Sequence, residues 1–181
     1  MLENTDTILA VMAVAAVAIS IISMAFTVLF SRQQMKHNKN SVKPICEIKI
    51  SDYENLINVC IANVGTGPLT INSIQCDDTE RLSPVLLALM PRIDQQWTTF
   101  TENVTGWTIP VNGKITLVEL NPRNDENKYR VRKILSKITI DIVYSDIYGT
   151  IFEKQRRLDF FGRNLDVEKR IYDDVTEKKR K

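Results

Sequence analysis

The chain has 181 residues, with 24 basic against 22 acidic side chains and a single histidine. That near balance excludes the broad basic field of a dedicated nucleic-acid binder. The scattered Cys46, Cys60 and Cys76, with one His, exclude a zinc site of recognisable spacing.

Charge is unevenly spread: residues 31–43 hold four cations and no acid, whereas residues 44–161 hold 13 cations against 15 acids and residues 162–181 hold 7 against 5. The leader, residues 1–7, carries Glu3 and Asp6 and no cation. Residues 8–30 then run without a charged side chain. As a helix they reach about 34 Å, enough to cross a hydrocarbon core of roughly 30 Å. The acidic leader and the length of the run argue against a cleaved secretory signal and for a retained span. Arg32, Lys36, Lys39 and Lys43 follow immediately. The positive-inside rule then predicts an external leader and a cytoplasmic C-terminal part, with the cations at the anionic headgroups.

Within the span, Ala13, Ala16, Ser20, Ser23 and Thr27 recur at spacings of three, four, three and four. Small residues on one face let helix backbones approach, and hydroxyls bond across a helix pair or face water, so this stripe is the candidate for helix packing or pore lining.

Residues 31–43 form a basic juxtamembrane linker, expected to prolong the helix for a turn or two before Pro44 favours extended chain. Residues 44–161 read as one mainly-β domain. Cys46, Ile48 and Ile50 alternate with Glu47 and Lys49, and Ile57, Val59 and Ile61 repeat the period. Asn63-Val-Gly65-Thr-Gly67-Pro68 turns the chain into a third strand over 69–76. Ser83-Pro84 and the apolar run over 85–90 predict a short helix or cap packed on the sheet edge. Residues 107–110 and 114–120 read as a hairpin about Asn112-Gly113. Residues 121–133 are polar. Ile138, Ile140, Ile142 and Tyr144 alternate in the next strand, residues 145–149 turn, and 150–160 return. From Gly162 the tail is charged and poor in apolar residues, which suits frayed or disordered chain. Some seven short strands between turn signals predict a β-sandwich behind one transmembrane helix.

No residues compose a catalytic site, so no enzyme, cofactor, metal or small-molecule substrate is expected. Gly65-Thr66-Gly67-Pro68 meets a proline and a strand where a phosphate-binding helix would be needed. Asp141 and Asp146 read as strand-face and turn residues. The three cysteines fall in apolar-alternating segments and read as buried free thiols in a reducing compartment. Arg130, Arg132, Lys133, Lys137, Arg156 and Arg157 are the candidate contact for RNA or a partner, against the simpler reading of a solvated face.

Arg32-Gln-Gln-Met-Lys-His37 has the form R-x4-H of the HEPN ribonucleases, in which Arg and His act on an RNA phosphodiester at a dimer interface. A helical i, i+5 pair points about 140° apart, and HEPN domains are helical where this chain reads β, so a ribonuclease is not expected. The soluble part, through residues 57–68 and Tyr144-Ser-Asp-Ile-Tyr-Gly-Thr-Ile-Phe152, resembles the Ig-like sandwiches found behind single spans in bacterial proteins. The whole chain, with one N-terminal span and R-x4-H, resembles the small membrane accessory proteins of type VI-B CRISPR systems. That resemblance implies a homo-oligomeric pore in the lipid bilayer, serving an RNA-guided RNase effector or its RNA in antiphage defence, with Arg32, Lys36 and His37 ringing its mouth. The alternative is a tethered sandwich that recruits a partner without any pore.

Overall fold

A computed structural model describes residues 2–163 and 165, with side chains from Leu9 onward. The chain forms two units divided after Ser41.

The first unit is one helix, α1 (Leu2–Ser41), which takes in the acidic leader, the uncharged run and almost all of the expected linker. The linker is therefore helical for about three turns rather than one or two. Gln33, Gln34, Met35 and Lys36 are good helix formers, and neither Gly nor Pro interrupts the chain before Pro44. The segment from Leu9 is long and apolar enough to cross a membrane, and none of its apolar window is buried.

The second unit is a sandwich of two antiparallel sheets. In the first, β1 (Cys46–Tyr53), β2 (Leu56–Asn63), β7 (Lys114–Leu120) and the short β5 (Thr99–Phe100) lie in the order β1-β2-β7-β5. In the second, β4 (Leu82–Ser83), β3 (Leu69–Asp77), β8 (Thr139–Ser145) and β9 (Ile151–Arg157) lie in that order, and β6 (Thr108–Ile109) also pairs with β3. The inner faces interdigitate through Ile48, Ile57, Val59, Ile61, Leu69, Ile71, Ile74, Leu117, Leu120, Ile140 and Ile142, all essentially inaccessible. The alternation of apolar and polar residues sets these faces, and each strand buries the set that its period 2 brings inward.

Strand β2 is buried on both faces. Its outer residues Asn58, Cys60 and Ala62 are small and lie opposite Ser51, Lys49 and Glu47 of β1. Long charged side chains there and on β7 cover them with their stems. Asn58 donates to Glu119 of β7 at 2.6 Å.

Four expectations need correction. Residues 107–110 and 114–120 do not form a hairpin, because β6 joins β3 and β7 joins β2, in different sheets. The Asn112-Gly113 turn closes locally, Gly113 N–H donating to Pro110 O at 2.9 Å, and also bonds to the end of β2: Asn112 N–H donates to Asn63 O and Asn63 N–H to Gly113 O, both at 3.0 Å. The polar stretch 121–133 contains helix α2 (Asp125–Leu135), capped by Asn124, whose side chain accepts from Asn127 N–H at 2.8 Å. Acids open α2 and cations close it, matching its dipole. The short helix or cap expected over 85–90 is present as a 3-10 turn (Leu86–Leu89), but Ser83 does not cap it, its Oγ accepting instead from Val85 N–H two residues on. The last strand stops at Arg157, and a second 3-10 turn (Asp159–Gly162) buries Phe161. The expected charged tail lies outside the described residues, apart from Gly162, Arg163 and Leu165.

Asn63 is fully buried and ties three segments together. Its side-chain oxygen accepts from Gly65 N–H at 3.0 Å and Ile45 N–H at 3.4 Å. Its amide nitrogen donates to the carbonyls of Gly67 (2.7 Å), Ile109 (3.1 Å) and Pro110 (3.3 Å). Val64 N–H then donates to Ile45 O and Thr66 N–H to Lys43 O. The backbones approach so closely that a Cβ on Gly65 would stand 2.4 Å from Ile45 N, and one on Gly67 1.8 Å from Val42 O. Only glycine fits at either position. Residues 42–45, the continuation of α1, are thereby clasped into the sandwich.

Replacing Asn63 with Ala strands several buried backbone groups, each worth about 1–3 kcal/mol. Asn63→Ala is expected to lower the stability of the sandwich by several kcal/mol. Chemical unfolding of the full chain in detergent, followed by far-UV circular dichroism, measures it.

Candidate interaction surfaces

The stripe expected for helix packing lies along α1 with every member exposed. Two of its hydroxyls are occupied within the helix: Ser20 Oγ donates to Ala16 O and Thr27 Oγ1 to Ser23 O, each at 2.8 Å. Back-bonding of this kind satisfies the hydroxyl without water or a second helix. The stripe therefore offers neighbours mainly small size and close approach.

Arg32, Lys36 and His37 also lie on α1, exposed. Ser41 Oγ donates to His37 O at 2.9 Å and lies 3.4 Å from its Nδ1. The imidazole thus has a local hydroxyl beside it, and helical geometry turns Arg32 some 140° away. Within one chain the R-x4-H residues do not converge.

The structure divides the basic cluster. Arg132 is withdrawn from any surface role: it is buried on α2 and bonds through Nε (2.8 Å) and Nη2 (2.5 Å) to Asp52 Oδ1 at the end of β1. Arg163 Nη1 meets the other carboxylate oxygen at 2.5 Å and packs its guanidinium 3.8 Å over the Phe160 ring. The Asp52 side chain is 1% exposed. Charge pairing is what makes such burial tolerable, and it pins α2 and the 3-10 turn after β9 to β1. Arg156 also faces inward, donating through Nη1 to Ile48 O at 2.5 Å and bridging β9 to β1 across the open side of the sandwich. Arg130 pairs with Glu126 one turn earlier, Lys133 stands over Tyr129, and Lys137 and Arg157 are exposed. Four of the six cations thus remain at the surface, interspersed with acids.

Asp146 accepts from Tyr148 and Thr150 N–H groups, each at 2.8 Å, and shapes the β8–β9 turn. Asp78 behaves similarly around residues 79–81. Its own desolvation would raise its pKa, but the guanidinium and backbone N–H of Arg81 and the N–H of Glu80 outweigh it and hold the carboxyl below its ordinary range. No group of three metal-ligating side chains converges among the described residues. Nothing in the sequence marks the Asp52–Arg132–Arg163 cluster, whose members lie far apart in the chain. The Asn63 hub was visible only as a turn signal.

All three cysteines are buried and free. Burial pushes the Cys46 and Cys76 thiols up to about 12 and raises Cys60. The thiolate is the nucleophile, so near neutral pH these thiols are inert. Iodoacetamide is expected to leave the folded protein unlabelled at pH 8 and to modify all three residues once urea unfolds the sandwich, as read by mass spectrometry. Arg132→Ala, which leaves a buried carboxylate short of its partner, is expected to cost about 3–5 kcal/mol. Arg130→Ala removes an exposed i, i+4 pair and should cost at most about 0.5 kcal/mol. Unfolding curves for the two variants check the difference.

No curated protein matches the chain. The family model for a domain of unknown function, DUF8453, matches residues 7–162, covering the apolar helix and the sandwich together. The chain therefore belongs to the DUF8453 family.

Proposed function

We propose that the protein is a single-span anchor that holds a sandwich-shaped binding module at the cytoplasmic face of a bacterial inner membrane and recruits a macromolecular partner there. The observation that carries this reading is the clasp. Asn63, Gly65 and Gly67 fasten residues 42–45, so the sandwich begins with the first residues that follow α1 in the chain. A long flexible tether would let the module range away from its anchor, whereas so short a connection suits one that meets its partner close to the membrane. The family match across helix and sandwich agrees with a single working unit. Orientation rests on the four cations after the span and the acids before it.

A second reading is favoured by the small-residue stripe: self-association into a pore that serves an RNA-guided RNase effector in antiphage defence. With Ser20 and Thr27 bonded inside the helix, that face suits dry helix packing better than a wet lining.

Native mass in mild detergent separates the readings. The anchored module is expected to run as a monomer or dimer, to keep that mass in Ser20→Leu/Ser23→Leu, to leave liposomes non-conducting, and to crosslink to a cytoplasmic protein through the sandwich. A large closed assembly that conducts, and that this variant dismantles, would replace the module with the pore.

A further inference from the structure

The two ends of the sandwich differ in chemistry. Strand register places residues 42–46, 63–69, 104–113 and 145–151 at one end, since Cys46 pairs with Asn63, Leu69 with Ile109, Thr70 with Ser145, and Ser145 with Ile151. Although a quarter of the chain is charged, these four segments carry only Lys43 and Asp146, and Asp146 is buried in its turn. Their exposed large apolar side chains are Ile45 (49%), Val64 (43%), Trp107 (50%), Val111 (44%), Ile147 (59%), Tyr148 (49%) and Ile151 (63%), beside uncharged polar neighbours such as Thr66, Thr108 and Thr150. Such a rim of half-exposed apolar groups on a folded domain marks a contact surface. It is also the end at which the chain arrives from the membrane-crossing helix.

A second, independent pattern lies on α1. Past the uncharged run, Arg32, Lys36 and Lys39 are spaced by four and three residues, so they share one helical face, while His37 lies off it. A basic face on a helix leaving a bilayer matches anionic headgroups.

We propose that the charge-poor end of the sandwich seats on the anionic lipid surface of the membrane that α1 crosses, with Ile147, Tyr148 and Ile151 at the headgroup–acyl boundary. Aromatic and branched side chains free of charge suit that boundary, where an apolar body is buried and a polar tip stays wet. The basic face just past the uncharged run supplies the electrostatic attraction to the same headgroups. The inference rests on the anchored reading and adds to it what the sandwich touches.

The test uses the full chain in liposomes containing phosphatidylglycerol. Flotation first establishes that the span inserts, which keeps failure of the anchor distinct from failure of the seating. Because the native thiols are buried, Ile147→Cys and, at the opposite end, Glu54→Cys each take a single environment-sensitive fluorophore. With seating, the label at 147 shifts to the blue and is quenched by lipids spin-labelled near the headgroup, while the label at 54 is not. Arg32→Gln/Lys36→Gln, or neutral lipid, reduces that quenching without releasing the protein from the liposomes. Equal quenching at both positions, or none at 147, overturns the proposal. So does a blue shift at 147 that follows protein density and ignores spin-labelled lipid, which would assign the rim to a second copy of the chain.

Discussion

The carboxamide of Asn63 is the constraint on which the second unit depends. Removed from water, an amide must have its bonding capacity filled by protein, and five backbone groups drawn from three segments do so. Because those segments are the stretch after α1, the turn after β2 and the crossover into β7, one side chain fixes the start of the sandwich and the exchange between its sheets. The glycines at 65 and 67 are corollaries: the amide reaches these partners only where backbones lie almost in contact.

The opposite end is held by other means. The buried Asp52 gathers the buried Arg132 and the one-third-exposed Arg163 into a cluster whose value lies in location more than in net stability. A carboxylate there accepts only one arrangement of α2 and the final turn. Asp94 and Gln95 do related work on α2 from the long loop, each accepting from the Asn127 amide. Polar groups thus set register at both ends, while apolar strands supply the cohesion between them.

The elements legible in the sequence were those with an undisturbed period. The uncharged run of α1 and the alternations in β1, β2, β3 and β8 stand in the structure where periodicity put them. Helix α2 escaped notice because two of its four buried residues, Asn127 and Arg132, are polar, so its inward face reads as surface. The supposed hairpin failed for a different reason. Asn112-Gly113 has the local chemistry of a tight turn, but its partner, Asn63, lies some fifty residues away, and no local pattern announces that bond. The basic cluster misled likewise: the residues making Arg132 and Arg156 structural are Asp52 and the carbonyl of Ile48, both remote in sequence. A charge's role is settled by its partner, and partners across a sandwich are not written nearby.

Strand β9 turns Lys154 and Arg156 toward the inside of the sheet edge and bridges to β1 through Arg156. On the anchored reading proposed above, confinement to a membrane plane raises the frequency with which neighbouring molecules meet side by side. An open, apolar border would let their sheets zip together into ribbons. Placing cations where an invading strand would have to bury them makes that coalescence costly. The domain is thereby equipped to be crowded in two dimensions while its backbone stays its own.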